Sequence, residues 1–257
     1  MLRGGLGDEL EARVRRGDFD VVYLATPCAS YSVSHRPRLR QRRRTANGGG
    51  PEGVADIPPE WLRYMAKHNA LAELSARLIV AAHLAGVAWA LENPADRGDS
   101  SSDAFWRRHM DHAPIFITAV MRSAAERTSA SFRTFCQCSF GSKPQKWTTI
   151  MHAQCLDGVL SVLDQHICRH GYEAHEEQAH GLRPDGSSRS ADSASYPPEL
   201  NEFLAEALAR WARSSAHMCS PCEPSAGGGR VADGPQLGES VREAARRAGV
   251  GAPYVPW

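Results

Sequence analysis

The sequence predicts an α/β fold, a mostly parallel sheet with flanking helices, from three features. The apolar run VVYLA, inside FDVVYLA, ends at a proline-led turn. From Pro59 to about Ala85, apolar residues recur at every third or fourth position. A second apolar run, Val87 to Leu91, follows directly. Short unbroken apolar runs suit strands covered on both faces, as in parallel sheets, and the intervening amphipathic stretch suits the crossover helix between them.

Taken in order, residues 8–16 read as a short helix and Asp20 to Ala25 as the first strand. Residues 33–58, rich in Arg, Gly and Pro, read as a long loop of the kind that serves as a lid or binding element. In the helix that starts at Pro59, the apolar face holds Leu71, Leu74, Leu78, Ile79, Ala82 and Leu84, and Gly86 stops it. Val87 to Leu91 forms the second strand, parallel to the first. Asp103 to His112 is expected as a short helix, Pro114 to Val120 as a third strand, and 121–131 as a loop or short helix. Phe132 to Ile150 holds at least one further strand, interrupted at GSKPQ, and Val159 to Ile167 is amphipathic. Leu200, Phe203, Leu204, Ala207, Leu208 and Trp211 line one face of a helix from Pro198 to Ser214. Residues 1–183 are thus read as one α/β domain, 184–214 as a linker and C-terminal helix, and 215–257, rich in Gly, Pro and Ser, as a disordered tail.

A net charge of +1 over 257 residues creates no global field that would draw the chain to nucleic acid or membrane. Any such preference must be local, and one cluster qualifies. Arg36, Arg38, Arg40, Arg42, Arg43 and Arg44 fall within nine residues; the run suits a solvated loop, a localisation signal or a phosphate-contacting loop. The most apolar window, Leu74 to Leu91, carries Arg77, His83 and Gly86, so no membrane span is expected. MLRGGLGDELEARVRRGDF has no apolar centre of a signal peptide, and the seven cysteines are irregularly spaced. An intracellular location is expected, nuclear if the chain acts on eukaryotic DNA.

The chemistry concentrates at the carboxyl ends of the two strands, where α/β sheets gather their ligands. Cys28 follows the first strand in ATPCASYS, and Glu92 and Asn93 end the second in WALENP. A thiol and a carboxyl then face one cleft from adjacent loops, the pairing that covalent catalysis needs: a nucleophile and a proton donor or acceptor opposite it. Pro27 fixes the backbone ahead of the thiol, while Ala29, Ser30 and Ser32 keep the turn small.

These residues carry a resemblance. TPCASYS resembles the PPCxxxS nucleophile loop of cytosine-5 DNA methyltransferases, with Thr26 in place of the first proline. ENP resembles their ENV motif, Glu92 and Asn93 matching and Pro94 departing. FGSKPQKWTTI resembles their YGxPQxRxR segment through Gly141, Pro144 and Gln145, with Lys146 and Thr148 present and the paired arginines absent. The matches run in family order over about residues 18–150 and resemble a divergent, N-terminally truncated branch of mobile-element type. The resemblance implies a partial Rossmann-like methyltransferase sheet, S-adenosylmethionine as cofactor with Pro27 and Asn93 on its side, and DNA as partner. Cys28 would attack carbon 6 of a flipped cytosine and Glu92 would hold a proton on ring nitrogen 3. Asn93 would orient the Pro27 loop by hydrogen bonding. Ser30, the six arginines, Gln145 and Lys146 would contact the nucleic acid. The family's glycine-rich cofactor loop has no counterpart before Cys28; GGLG, Gly4 to Gly7, follows no strand. Activity of the isolated chain is therefore left open. The alternative is a non-catalytic nucleic-acid-binding or zinc-stabilised module built on the same fold.

Downstream lies a segment dense in soft ligands. Cys168, His170 and His175, joined by Cys136, Cys138 or Cys155, offer four nitrogen and sulfur ligands for zinc. The spacing matches no familiar zinc module and equally fits unrelated side chains near a loop, so no metal is assigned from sequence. CSPC, Cys219 to Cys222, is a lone CxxC without a partner pair.

Overall fold

A computed structural model describes residues 5–33, 44–46, 50–54, 57, 59–177, 184–186, 189 and 195–214. It is an α/β structure with an open four-stranded sheet and flanking helices. The elements are α1 (Leu6–Arg15), β1 (Val21–Ala25), α2 (Pro59–Leu84), β2 (Ala88–Pro94), α3 (Ala119–Arg127), β3 (Ser131–Cys136), β4 (Trp147–His152), α4 (Asp157–Leu160) and α5 (Pro198–Arg213). Strand order is β1-β2-β4-β3.

The first half follows the sequence pattern. β1 and β2 pair in parallel, Val21 opposite Ala88 and Ala25 opposite Glu92, with α2 as their crossover. Gly86 takes a left-handed conformation (φ 68°), which a glycine adopts at little steric cost, and this ends α2. Arg77 of α2 reaches Asp8 at 2.6 Å and also pairs with Glu11, seating α1 on α2.

The expected mostly parallel sheet is instead mixed. β4 lies between β2 and β3 and pairs antiparallel with both. The reason is chain length: only Gln137 to Lys146 connects β3 to β4, short of the roughly dozen or more residues a parallel crossover needs. A Rossmann-like sheet is thus not what these four strands establish.

Two further expectations change. The strand expected at Pro114 to Val120 is a 3-10 turn, Ile115–Ile117, followed by α3. A short apolar run such as IFITAV does not separate strand from buried helix. The Ala-rich continuation, with Met121 and Ala124 buried three apart, settles it as a helix that packs on α2. Asp103 to His112 yields only the 3-10 turn Arg107–His109; Trp106 turns to Tyr172 instead, ring centroids 4.8 Å apart. The amphipathic stretch at Val159 forms α4 and the 3-10 turn Ser161–Gln165, burying Leu160 and Leu163.

The core forms around β2, every residue of which is buried. Trp89, Leu91, Ile79, Ile150, Met151 and Phe135 are fully enclosed, each side chain contributing about 1.5–3 kcal/mol of burial. α5 joins this same core through Leu200, Leu204 and Ala207, as its apolar face requires. No helix among the described residues is long and apolar enough to cross a membrane. The expected disordered tail, 215–257, lies outside the described residues.

Candidate active site

Cys28 and Glu92 lie at one rim because β1 and β2 are parallel neighbours and both residues sit at carboxyl ends. Ala25 pairs with Glu92 in register, and Cys28 follows three residues later. The two groups also bear on one another electrostatically. Burial pushes the half-buried Cys28 thiol up, the Glu92 charge pushes it further, and Lys146 pulls it back. Burial likewise raises the Glu92 carboxyl, opposed by Lys146 and by a hydrogen bond from Tyr196. Desolvation disfavours both anions, so each group holds its proton more tightly than it would in water.

The turn that carries Cys28 is fixed at four of its carbonyls. Asn93 Nδ2 donates to the Thr26 carbonyl at 2.8 Å, and the Thr26 hydroxyl meets Ser75 of α2 at 2.7 Å. His68 Nδ1 lies 3.3 Å from the Pro27 carbonyl. Tyr31 N–H closes a turn on the Cys28 carbonyl at 2.8 Å. His112 accepts the Arg97 N–H at Nδ1 (3.0 Å), which leaves Nε2 to donate to the Tyr31 carbonyl at 2.7 Å. Three other parts of the chain, α2, β2 and the segment around His112, therefore hold one short turn.

Glu92 is placed with equal care. The Tyr196 hydroxyl donates to its Oε2 at 2.8 Å, while Oε1 is buried and has no partner among the described residues. An orphaned buried oxygen is costly unless something arrives to meet it. Strand alternation puts Glu92 and Tyr23 on one face of the sheet, and burial and Glu92 raise the Tyr23 hydroxyl. Tyr196 enters from just ahead of α5, 104 residues away in sequence, and the Lys146 ammonium lies 5.4 Å from its ring centroid. Nothing local in the sequence marks so distant a partner.

Other expected contacts are redistributed. Arg36, Arg38, Arg40, Arg42 and Arg43 lie outside the described residues. Arg44, grouped with them as a phosphate contact, is instead an internal clamp, only 6% exposed. It donates to Ser30 Oγ, to the Pro51 carbonyl at 2.6 Å and to Asn69 Oδ1 at 2.8 Å, and lies 4.0 Å from the Tyr31 ring centroid. Those internal acceptors occupy the guanidinium, and Ser30 is occupied with it. Gln145 also turns inward: its oxygen accepts from Arg97 at 3.2 Å, and its amide donates to the Cys168 sulfur at 3.4 Å. Lys146 belongs to the Cys28 and Glu92 rim. Asn93, assigned to the cofactor side, is fully buried and bonded to Thr26, so it positions the loop; Pro27 is exposed beside it.

The soft ligands also gather. Cys138, Cys168, His170 and His175 each offer one ligand atom, and the four atoms lie within 4.8 Å of one another. Cys136 is buried beside them, its sulfur 3.4 Å from that of Cys138; Cys155 stands apart and is not a free thiol. No family model matches the chain, and no curated protein or solved structure does.

Proposed function

We propose that this chain is a DNA cytosine-5 methyltransferase-type domain whose Cys28 and Glu92 perform the nucleophilic half of the reaction. The observation that carries the reading is the convergence of a tethered thiol and a raised, half-partnered carboxyl at one sheet rim. In the reaction, the Cys28 proton passes to water and the sulfur lone pair bonds carbon 6 of the base. The C5–C6 π electrons move towards C5, while Glu92 holds a proton on ring nitrogen 3 and so stabilises the electron-rich ring. A carboxyl that keeps its proton nearer neutrality suits that role. Lys146 favours the thiolate as it forms. C5 then takes an electrophile, loses its original hydrogen, and the C6–S bond breaks to release Cys28. A stacked base cannot reach this rim, so the cytosine must flip out at a cost of a few kcal/mol.

S-adenosylmethionine supplies the methyl group in the family this chain resembles, but the described residues do not fit it. Gly5 and Gly7 cap and open α1 rather than follow a strand, and Asn93 is spent inside the fold. No methyl-transfer step is assigned to them.

The addition step is testable without a methyl donor, because C5 can take a proton from water. We expect the chain to release tritium from DNA bearing [5-3H]cytosine, fastest at unpaired cytosines. Cys28→Ser should abolish release while leaving DNA affinity unchanged. Salt-sensitive DNA binding with no release by the wild-type chain would overturn the catalytic reading and favour a non-catalytic binding module.

A further inference from the structure

We infer that Cys138, Cys168, His170 and His175 bind a structural zinc ion, a site independent of the methyltransferase reading. Zinc bonds of about 2.3 Å to sulfur and 2.0–2.1 Å to nitrogen place tetrahedral ligand atoms roughly 3.3–3.8 Å apart. Cys168 Sγ stands 3.3 Å from His175 Nε2 and 3.9 Å from His170 Nδ1, and all four ligand atoms fall within 4.8 Å. Two thiolates and two neutral imidazoles cancel the charge of Zn2+, and the set matches a closed Cys2His2 site.

The surroundings prepare these side chains for a metal. His175 turns Nδ1 to the carbonyls of Gly171 and Tyr172 at 3.2 and 3.1 Å, so its proton sits there and the Nε2 lone pair faces the cluster. That carbonyl-held imidazole is the usual support for a metal-bound histidine. Gln145 donates its amide to Cys168 sulfur, as a thiolate ligand wants. Three of the four residues are partly buried and His170 is exposed, which leaves an access route for the ion.

The fold also needs a fastening here. Between the 3-10 turn Ser161–Gln165 and residue 177, the only regular structure is the three-residue turn Tyr172–Ala174. Its ties to β3 and the β3–β4 connection are scattered single contacts: the bridge of Pro144 with Glu177, the exposed pair of Lys143 with Glu176 at 3.1 Å, the Gln145 amide on Cys168 sulfur, the Phe140 ring stacked on His166, and the Cys136 N–H on the His166 carbonyl at 2.7 Å. A zinc ion would join Cys138 of that connection to Cys168, His170 and His175, and would hold in place the connection that ends in Gln145 and Lys146.

The test is metal content of the full chain, purified without added chelator. One zinc per chain is expected. Cys168→Ala and His175→Ala should each fall below about a tenth of that, whereas Cys136→Ser should keep it. Because a ligand variant can lose metal by misfolding, the wild-type apo chain is also refilled with Co2+, which should give the strong visible absorption of a tetrahedral thiolate site. His175→Cys should retain cobalt and intensify the sulfur-to-cobalt charge-transfer band. A wild-type chain that carries no zinc and takes up no cobalt overturns the site. Full metal retention in Cys168→Ala, or loss in Cys136→Ser matching that in Cys168→Ala, overturns this ligand set.

Discussion

The Cys28 rim and the Cys138 corner are built by opposite means. At the rim, strand register sets Glu92 beside Ala25, and hydrogen bonds from Asn93, His68, Tyr31 and His112 fix the turn. Its geometry follows from backbone pairing and needs no ligand. At the corner, a segment with almost no regular structure brings three of four ligand side chains to one point. There the ligand atoms themselves must supply the order. The difference teaches that two cysteine sites in one small fold answer to different perturbations.

The largest separation should come from chelation. Removing the proposed zinc should speed amide exchange in residues 166–177 by about a thousandfold or more, which is about 4 kcal/mol and only part of what a structural zinc contributes. Amides of β1 and β2 should change little, because their hydrogen bonds run through the sheet. Hydrogen exchange followed by mass spectrometry with and without chelator reads both at once. Equal loosening of the two regions would erase the contrast.

A middle-sized effect should come from Asn93→Ala. It removes the donor to the Thr26 carbonyl inside a fully buried site and leaves that carbonyl unpaired. The expected loss is about 2–3 kcal/mol by denaturant unfolding, with tritium release falling further than stability because the Cys28 turn loses its anchor. Zinc content should stay at one per chain.

How much of this was legible in the sequence follows the same division. The β1, α2 and β2 unit could be read from apolar periodicity and from Gly86, because those signals are local. Cys28, Glu92 and Asn93 could be placed together because parallel strands put their carboxyl ends at one edge. β4 could not be placed, since no local pattern reveals that a strand will insert between β2 and β3. Arg44 misled for a related reason: in sequence it ends an arginine run, while its partners Ser30, Pro51 and Asn69 are set by tertiary structure. Cys168, His170 and His175 could be grouped as possible ligands, but which of Cys136, Cys138 and Cys155 joins them could not be told, because those cysteines belong to other segments and no spacing rule links them.

The smallest expected effect, and the most diagnostic for the rim, is that of Tyr196→Phe. The hydroxyl donates to Glu92 Oε2 and so opposes the burial that raises this carboxyl. Removing it should cost about 1 kcal/mol of stability and raise the Glu92 carboxyl further, since an anion then loses a donor. The sign follows. Glu92 is already raised, and the proposed step needs its protonated form, so activity is present at lower pH and lost as pH rises through the folded carboxyl's range. In Tyr196→Phe that falling limb should move to higher pH, and in Glu92→Gln, whose amide keeps an N–H without titrating, it should disappear. Tritium release measured across pH in the three proteins decides it. A falling limb that stays fixed in Tyr196→Phe would mean that the limb belongs to another group and that Glu92 does not govern the chemistry at this rim.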